Sequence, residues 1–196
     1  GVEFRPLGIA GAYEIRNAIH GDDRGEFAEW FRFDKIEAET GYRFPVRQAN
    51  VSRSAKGVVR GIHFCQIPPG QAKLVTCMTG RILDVVVDIR DGSDTFGQWK
   101  AVELSAAERN AMLLPVGVGH AFVALDDNTT VCYLVSDVYT PSREFGIHPL
   151  DPELGIDYQL PSEQLLLSAK DQEAPTLREA QEQGLLPHIE QREPMK

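Results

Sequence analysis

The chain contains five histidines, His20, His63, His120, His148 and His188. Two of them, His63 and His120, fall in apolar, strand-like runs beside glycine. His63 belongs to Arg60-Gly61-Ile62-His63-Phe64, and a lysine, Lys73, follows in Gln71-Ala72-Lys73-Leu74-Val75. Pro68-Pro69-Gly70 separates the two runs as a turn. An imidazole and an ammonium facing one pocket suit removal of a proton beside a carbonyl and capture of the enolate that results. Imidazole has an ordinary pKa of about 6.5, so the group type is suited to act as a base at neutral pH. A lone strand histidine is more often a hydrogen-bonded structural residue, so the case rests on what accompanies these two.

Tyr133, Val135, Asp137 and Tyr139 share one parity, which lets both tyrosines face one cavity. A buried tyrosine near a base is a candidate acid; ordinary aromatic packing is the bland alternative. Phe27, Glu29 and Phe31 share a second face, and Gln48, Asn50 and Ser52 a third. Buried amides need partners, so Gln48 and Asn50 read as groups that contact a ligand. Arg24, in the turn Asp22-Asp23-Arg24-Gly25, has a guanidinium fork that matches phosphate oxygens, although a solvated charged turn is the default. Arg60 is a similar candidate. Strict alternation would put Arg60 and His63 on opposite faces, and a bulge at Gly61 would bring both to the pocket.

The elements that must position these side chains are mostly strands. Residues 27–32, 46–51, 58–64, 73–78, 82–89, 99–104, 111–114, 120–125 and 130–138 are short, rich in β-branched or aromatic types, and bounded by turn signals. Such spacing predicts a mainly β sandwich or jelly roll. Along 81–90, Leu83, Val85, Val87 and Ile89 point one way and Asp84, Val86, Asp88 and Arg90 the other. Either a barrel with a wet interior or a sheet with one solvent face would produce this alternation, and the second is the commoner arrangement. Two helices are expected: one over 34–40, ending before Gly41, and a C-terminal one opened by Pro175 and closed by Gly184. One domain over 1–196 is expected, with a frayed tail from His188.

The bulk numbers exclude some partners. Lysine plus arginine (20) against aspartate plus glutamate (29) gives a formal charge of −9, which disfavours nucleic acid and acidic membrane surfaces. No long apolar span or signal peptide is visible. Cys65, Cys77 and Cys132 form no C-x-x-C pair and lie in apolar runs, which predicts small core residues in a reducing, cytoplasmic setting. Pro115-Val116-Gly117-Val118-Gly119-His120 resembles the second motif of the cupins, but His63-Phe64-Cys65 has one histidine where metal cupins have H-x-H. Lys73 stands near the place of an acidic ligand, and an ammonium has no lone pair to offer. No metal is expected.

Taken in order, several motifs resemble the dTDP-4-dehydrorhamnose 3,5-epimerases, including their antibiotic deoxysugar branch. They are Asp23-Arg24-Gly25-Glu26-Phe27, Gln48-Ala49-Asn50-Val51-Ser52, Gly57-Val58-Val59-Arg60-Gly61-Ile62-His63-Phe64, Gln71-Ala72-Lys73-Leu74-Val75, Asp84 to Arg90, Thr95-Phe96-Gly97-Gln98-Trp99 and Leu167-Ser168-Ala169-Lys170-Asp171. The resemblance implies a cupin-like jelly-roll barrel with short helices, acting as a cytoplasmic homodimer without metal or cofactor on a dTDP-linked 4-keto-6-deoxy sugar. It implies that His63 is the base, oriented by Asp171, that Tyr133 returns a proton from the opposite face, and that Lys73 meets the C4 oxygen. Arg24, Phe27, Glu29, Gln48, Asn50, Arg60 and Tyr139 would hold the nucleotide, and His120 would line the sugar pocket. Inversion at both C3 and C5 is favoured. Cys65 replaces a common glutamine, and Pro68-Pro69-Gly70 looks more like the antibiotic branch, so inversion at C3 or C5 alone is the alternative. A ketoisomerase, a metal-dependent cupin oxygenase and a non-catalytic sugar-nucleotide binder are further alternatives. An acid placed opposite a base argues against the last.

Overall fold

Runs rich in β-branched residues, broken by glycine-containing turns, build thirteen strands among the described residues. The computed structural model describes residues 1–195. In chain order the elements are β1 (Glu3–Pro6), β2 (Tyr13–Arg16), β3 (Ile19–Asp22), β4 (Gly25–Ala28), α1 (Phe33–Thr40), β5 (Gln48–Ser54), β6 (Val59–Cys65), β7 (Lys73–Thr79), β8 (Arg81–Val87), β9 (Trp99–Ser105), β10 (Ala111–Leu114), β11 (Gly119–Ala124), β12 (Thr129–Val135), β13 (Glu144–Gly146), α2 (Ala169–Gln172) and α3 (Leu177–Glu182). Two antiparallel sheets form a cupin-like jelly roll: a six-stranded one ordered β1-β2-β10-β7-β12-β5 and a five-stranded one ordered β13-β6-β11-β8-β9. The β3–β4 hairpin stands apart as a two-stranded sheet.

Three apolar clusters explain why both sheets are covered on both faces. Val75, Cys77, Ile82, Val86, Leu104, Met112, Phe122 and Val131, drawn from both sheets, fill the space between them. Ile36 of α1 and Phe44 pack on Leu74, Ala111 and Leu113, covering the outer face of the six-stranded sheet. Leu154, Tyr158, Leu177 and Ala180 cover Val59, Phe64, Leu83, Val85 and Val123 on the other. The alternation along β8 therefore marks two buried faces. Asp84 and Val86 are fully buried, and the solvent-facing alternative does not hold.

Three expectations need adjusting. The strand expected over 27–32 ends at Ala28, because the hairpin has no further partner and Arg32 bonds Glu29 and Asp34 at the start of α1. Trp30 and Phe31 pack against the α1 core instead of alternating. The strand expected to reach Val138 stops at Val135. The tail from His188 is pinned, with Asp91 N–H donating to Pro187 O (2.8 Å), Ile189 N–H to Asp91 O (2.9 Å) and Gln191 Nε2 to Ile67 O (3.2 Å). The C-terminal helix forms where expected. A Thr176–Glu179 capping box starts it, satisfying two N–H groups that would otherwise be orphaned.

Gly61 carries the feature on which the site depends. His63 pairs with His120, but Arg60 pairs with Phe122, so β6 takes three steps where β11 takes two. That is a β-bulge, and it turns Arg60 and His63 to the same cavity. Gly61 sits at φ +135°, and a Cβ there would lie 2.5 Å from Ala121 Cβ and 2.6 Å from His120 O. Gly61→Ala is expected to cost about 2–5 kcal/mol of stability, from overpacking plus backbone strain. Chemical denaturation checks this.

Candidate active site

The two sheets enclose a cavity of about 750 Å³, a size that admits a small-molecule ligand. His63 and Arg60 on β6 and His120 on β11 come from one sheet. Lys73 on β7 and Tyr133 on β12 come from the facing one, and all five line the cavity.

Asp171 reaches this wall from α2. Ser168 caps that helix by accepting from Asp171 N–H (3.1 Å), which sets the carboxylate against β6. Asp171 Oδ1 lies 2.8 Å from His63 Nε2, and Oδ2 accepts from Gly61 N–H at 3.3 Å. One carboxylate thus holds both the imidazole and the bulge. Burial pushes Asp171 up, but the His63 hydrogen bond and charge, with Gly61 N–H and Ser168, outweigh it and hold the carboxyl below its ordinary value. An ionised carboxylate only accepts. It favours the tautomer with the proton on His63 Nε2, which leaves the Nδ1 lone pair as the ring's acceptor. The His63 side chain is 44% exposed, so it is open to a ligand.

His120 is set differently. Its Nε2 lies 2.6 Å from Asp84 Oδ1, with both side chains buried. Burial lowers the His120 pKa, and the Asp84 charge and hydrogen bond oppose it. Asp84 Oδ2 has no hydrogen-bond partner among the described residues. Burial likewise lowers the Lys73 pKa, and the charges of Glu144, Asp84 and Cys65 pull it back. Lys73 Nζ lies 5.7 Å from the centre of the Tyr133 ring. Burial raises the Tyr133 pKa, and a hydrogen bond from Asn50 and the Arg60 charge oppose it.

Of the twelve residues singled out, His63, Lys73, Arg60, His120, Tyr133, Tyr139 and Asp171 line the cavity. Tyr139 arrives from a loop past the end of β12, not by strand parity. Gln48 and Asn50 sit on the neighbouring edge strand, bonded to each other (2.8 Å). Arg24, Phe27 and Glu29 are carried off the cavity by the β3–β4 arm and the segment after it. Arg24 pairs with Asp22 (2.6 Å), Glu29 with Arg32 (3.1 Å), and Phe27 is 65% exposed.

The structure adds Glu144 and Lys170 to the lining. Glu144 lies in a three-residue strand, too short for periodicity to reveal. Burial raises its pKa, with Lys73 and His63 opposing. Lys170 was visible inside Ser168-Ala169-Lys170-Asp171, a motif read only for its aspartate. Cys65 and Cys77 are buried, with thiols pushed up to about 11 by burial, which makes them poor nucleophiles.

A base held by a carboxylate, a desolvated ammonium and a phenol on the facing sheet can move a proton onto and off a carbon acid beside a carbonyl. Comparison with known proteins points the same way. The family model described as dTDP-4-dehydrorhamnose 3,5-epimerase matches residues 6–179. A dTDP-4-dehydrorhamnose 3,5-epimerase of Mycolicibacterium smegmatis is 51% identical over 184 residues, covering 93% of this chain and 90% of that protein. The crystal structure of a 4-keto-6-deoxy sugar epimerase from the novobiocin biosynthetic gene cluster of Streptomyces spheroides superposes with a TM-score of 0.93 at 48% identity, covering 96% of this chain and 94% of that one. A 3'-monoepimerase from Streptomyces bikiniensis, crystallised in complex with dTDP-quinovose, superposes with a TM-score of 0.89 at 48% identity, covering 94% and 92%. The fold, the cavity and these likenesses agree, and the chain belongs to the dTDP-4-dehydrorhamnose 3,5-epimerase family of isomerases.

Proposed function

We propose that this protein epimerises a dTDP-linked 4-keto-6-deoxyhexose at C3 and C5, with no metal or redox cofactor. The observation that carries the reading is His63 on one sheet, held by Asp171 of α2, facing a cavity whose other sheet presents Tyr133 and Lys73. His63 Nδ1 takes the proton from the carbon beside the C4 ketone. The Lys73 ammonium donates to the C4 oxygen as it becomes an enolate. Tyr133 returns a proton to the opposite face, and exchange with solvent resets both groups. Arg60, Lys170 and Tyr139 stand ready for the nucleotide diphosphate. Inversion at C3 alone is the second reading, supported by the 48% identity to the 3'-monoepimerase.

Incubation with the 4-keto-6-deoxy sugar nucleotide in deuterated water, read by NMR, tests this. Deuterium at C3 and C5 is the expected result, and deuterium at C3 alone selects the second reading. No deuterium at either carbon overturns the proposal.

A homodimer belongs to the same reading. The β3–β4 arm carries Arg24 and an exposed Phe27 away from its own barrel, which suits a contribution to a second copy's cavity. Coexpressed Arg24→Ala and His63→Ala subunits are expected to regain about a quarter of wild-type activity by random pairing. No regain would assign the arm to its own barrel. The free cysteines fit a reducing, cytoplasmic setting. Among the described residues no helix is long and apolar enough to cross a membrane.

A further inference from the structure

We infer that Arg109, in the turn between β9 and β10, is a positioning residue that sets the angle of the β3–β4 arm and so holds Arg24 and Phe27 where a nucleotide meets them. The inference rests on the arm serving a nucleotide site, as proposed above.

The arm cannot aim itself. Every residue of β3 and β4 except Ala28 is exposed, and none of residues 19–28 enters the three apolar clusters. A two-stranded hairpin without a packed face is marginal in water. Among the described residues, the only side-chain hydrogen bonds that tie this hairpin to the barrel run between Glu26 and Arg109. Arg109 Nη2 donates to Glu26 Oε1 at 3.0 Å, and Nε donates to the same oxygen at 3.3 Å. The root of the arm is held by the same residue, since Asn17 Nδ2 donates to the Arg109 carbonyl oxygen (3.0 Å). Successive side chains of a strand point to opposite faces. A grip on Glu26 therefore turns Phe27 away from its own barrel, where it is 65% exposed.

Arg109 itself stands on a fixed post. The next residue, Asn110, is fully buried. Its Nδ2 donates to Glu14 Oε2 and to Glu103 O (2.9 Å each), and its carbonyl oxygen accepts from Thr76 Oγ1 (2.9 Å). Arg109 N–H donates to Ser105 O (3.1 Å). Arg109 sits at φ +52°, a region that residues other than glycine seldom take. Such a conformation persists where its surroundings over-determine it, and it is concentrated at functional positions. Here it lies at the one point where barrel and arm are clamped.

Amide hydrogen exchange of the full-length protein tests the clamp. Arg109→Glu is expected to speed exchange across residues 19–28 by about three- to tenfold, the scale of losing an exposed ion pair and adding a like charge. Protection in β8 and β11 and the melting curve are expected to stay as in wild type, because the arm carries no core. Combining Glu26→Arg with Arg109→Glu is expected to restore protection of the arm. Unchanged exchange over 19–28 in Arg109→Glu, or no recovery in the charge-exchanged pair, overturns the inference. Steady-state kinetics connect the clamp to the ligand. Arg109→Glu is expected to raise KM by about three- to tenfold with kcat within about twofold, and the charge-exchanged pair to bring KM back. A fall in kcat at unchanged KM overturns the inference as well. If exchange over the arm quickens while KM and the affinity for dTDP both hold, the arm serves no nucleotide, and it is the reading beneath the inference that fails.

Discussion

His63→Ala is expected to abolish deuterium incorporation next to the C4 ketone, with a rate loss of about 10²–10⁴-fold. The imidazole is half exposed, so its removal costs little packing. The change would leave Asp171 Oδ1 without its partner, while Gly61 N–H still donates to Oδ2 and Ser168 still caps the Asp171 backbone N–H. The expected signature is therefore a large kinetic loss with a modest fall in stability, of about 1–3 kcal/mol. Asp171→Asn separates orientation from chemistry. An amide can turn its NH2 toward the ring and so favour the wrong tautomer, placing the proton on Nδ1 where the lone pair is needed. Asp171→Asn is expected to retain the imidazole and still lose most of the exchange, as read by NMR. Full exchange in His63→Ala would remove His63 from the role of base.

Lys73→Met is expected to lose about 10²–10³ in kcat, the usual loss when one donor to a developing oxyanion is removed. The thioether keeps much of the stem's length and apolar contact, and the desolvation cost of an ammonium disappears with it. Thermal unfolding should move little beside the rate. The burial that lowers the Lys73 pKa also sharpens its action, because a charge in a drier site interacts more strongly with a nascent enolate. Steady-state kinetics paired with a melting curve separate the two effects. A variant that loses stability and activity in proportion would make Lys73 a structural residue.

Much of this was legible in the chain. Eight strand runs of the two main sheets lie within a few residues of their expected places, because β-branched runs between turns depend little on long-range context. The co-facing of Arg60 and His63 was also legible, through the need for a bulge at Gly61. Other features were hidden for identifiable reasons. Alternation along β8 tells that two faces differ but not what covers them, and only the docking of distant segments buries both. Glu144 sits in a strand too short to carry a period. Arg24 and Phe27 belong to a recognisable motif, yet a motif does not reveal which body a hairpin leans on. The tail past His188 is polar, and its pinning uses backbone carbonyls of Asp91 and Ile67 as acceptors, which side-chain composition does not report.

The grip of Asp171 on His63 and on Gly61 N–H has a consequence for how the molecule comes to completion. The proposed base, cation and acid, His63, Lys73 and Tyr133, lie in strands that precede Asp171 in the chain, so the group that holds the imidazole is synthesised after them. A nascent or truncated chain stopping before Ser168 would own every reacting side chain and still hold a loosely aimed imidazole beside an untethered bulge. It would also lose Leu177 and Ala180 from the cover of the apolar sheet face, leaving that face only partly covered by Leu154 and Tyr158. Competence is thus conferred last, and an unfinished copy is marked by the exposed greasy surface that chaperones and proteases recognise.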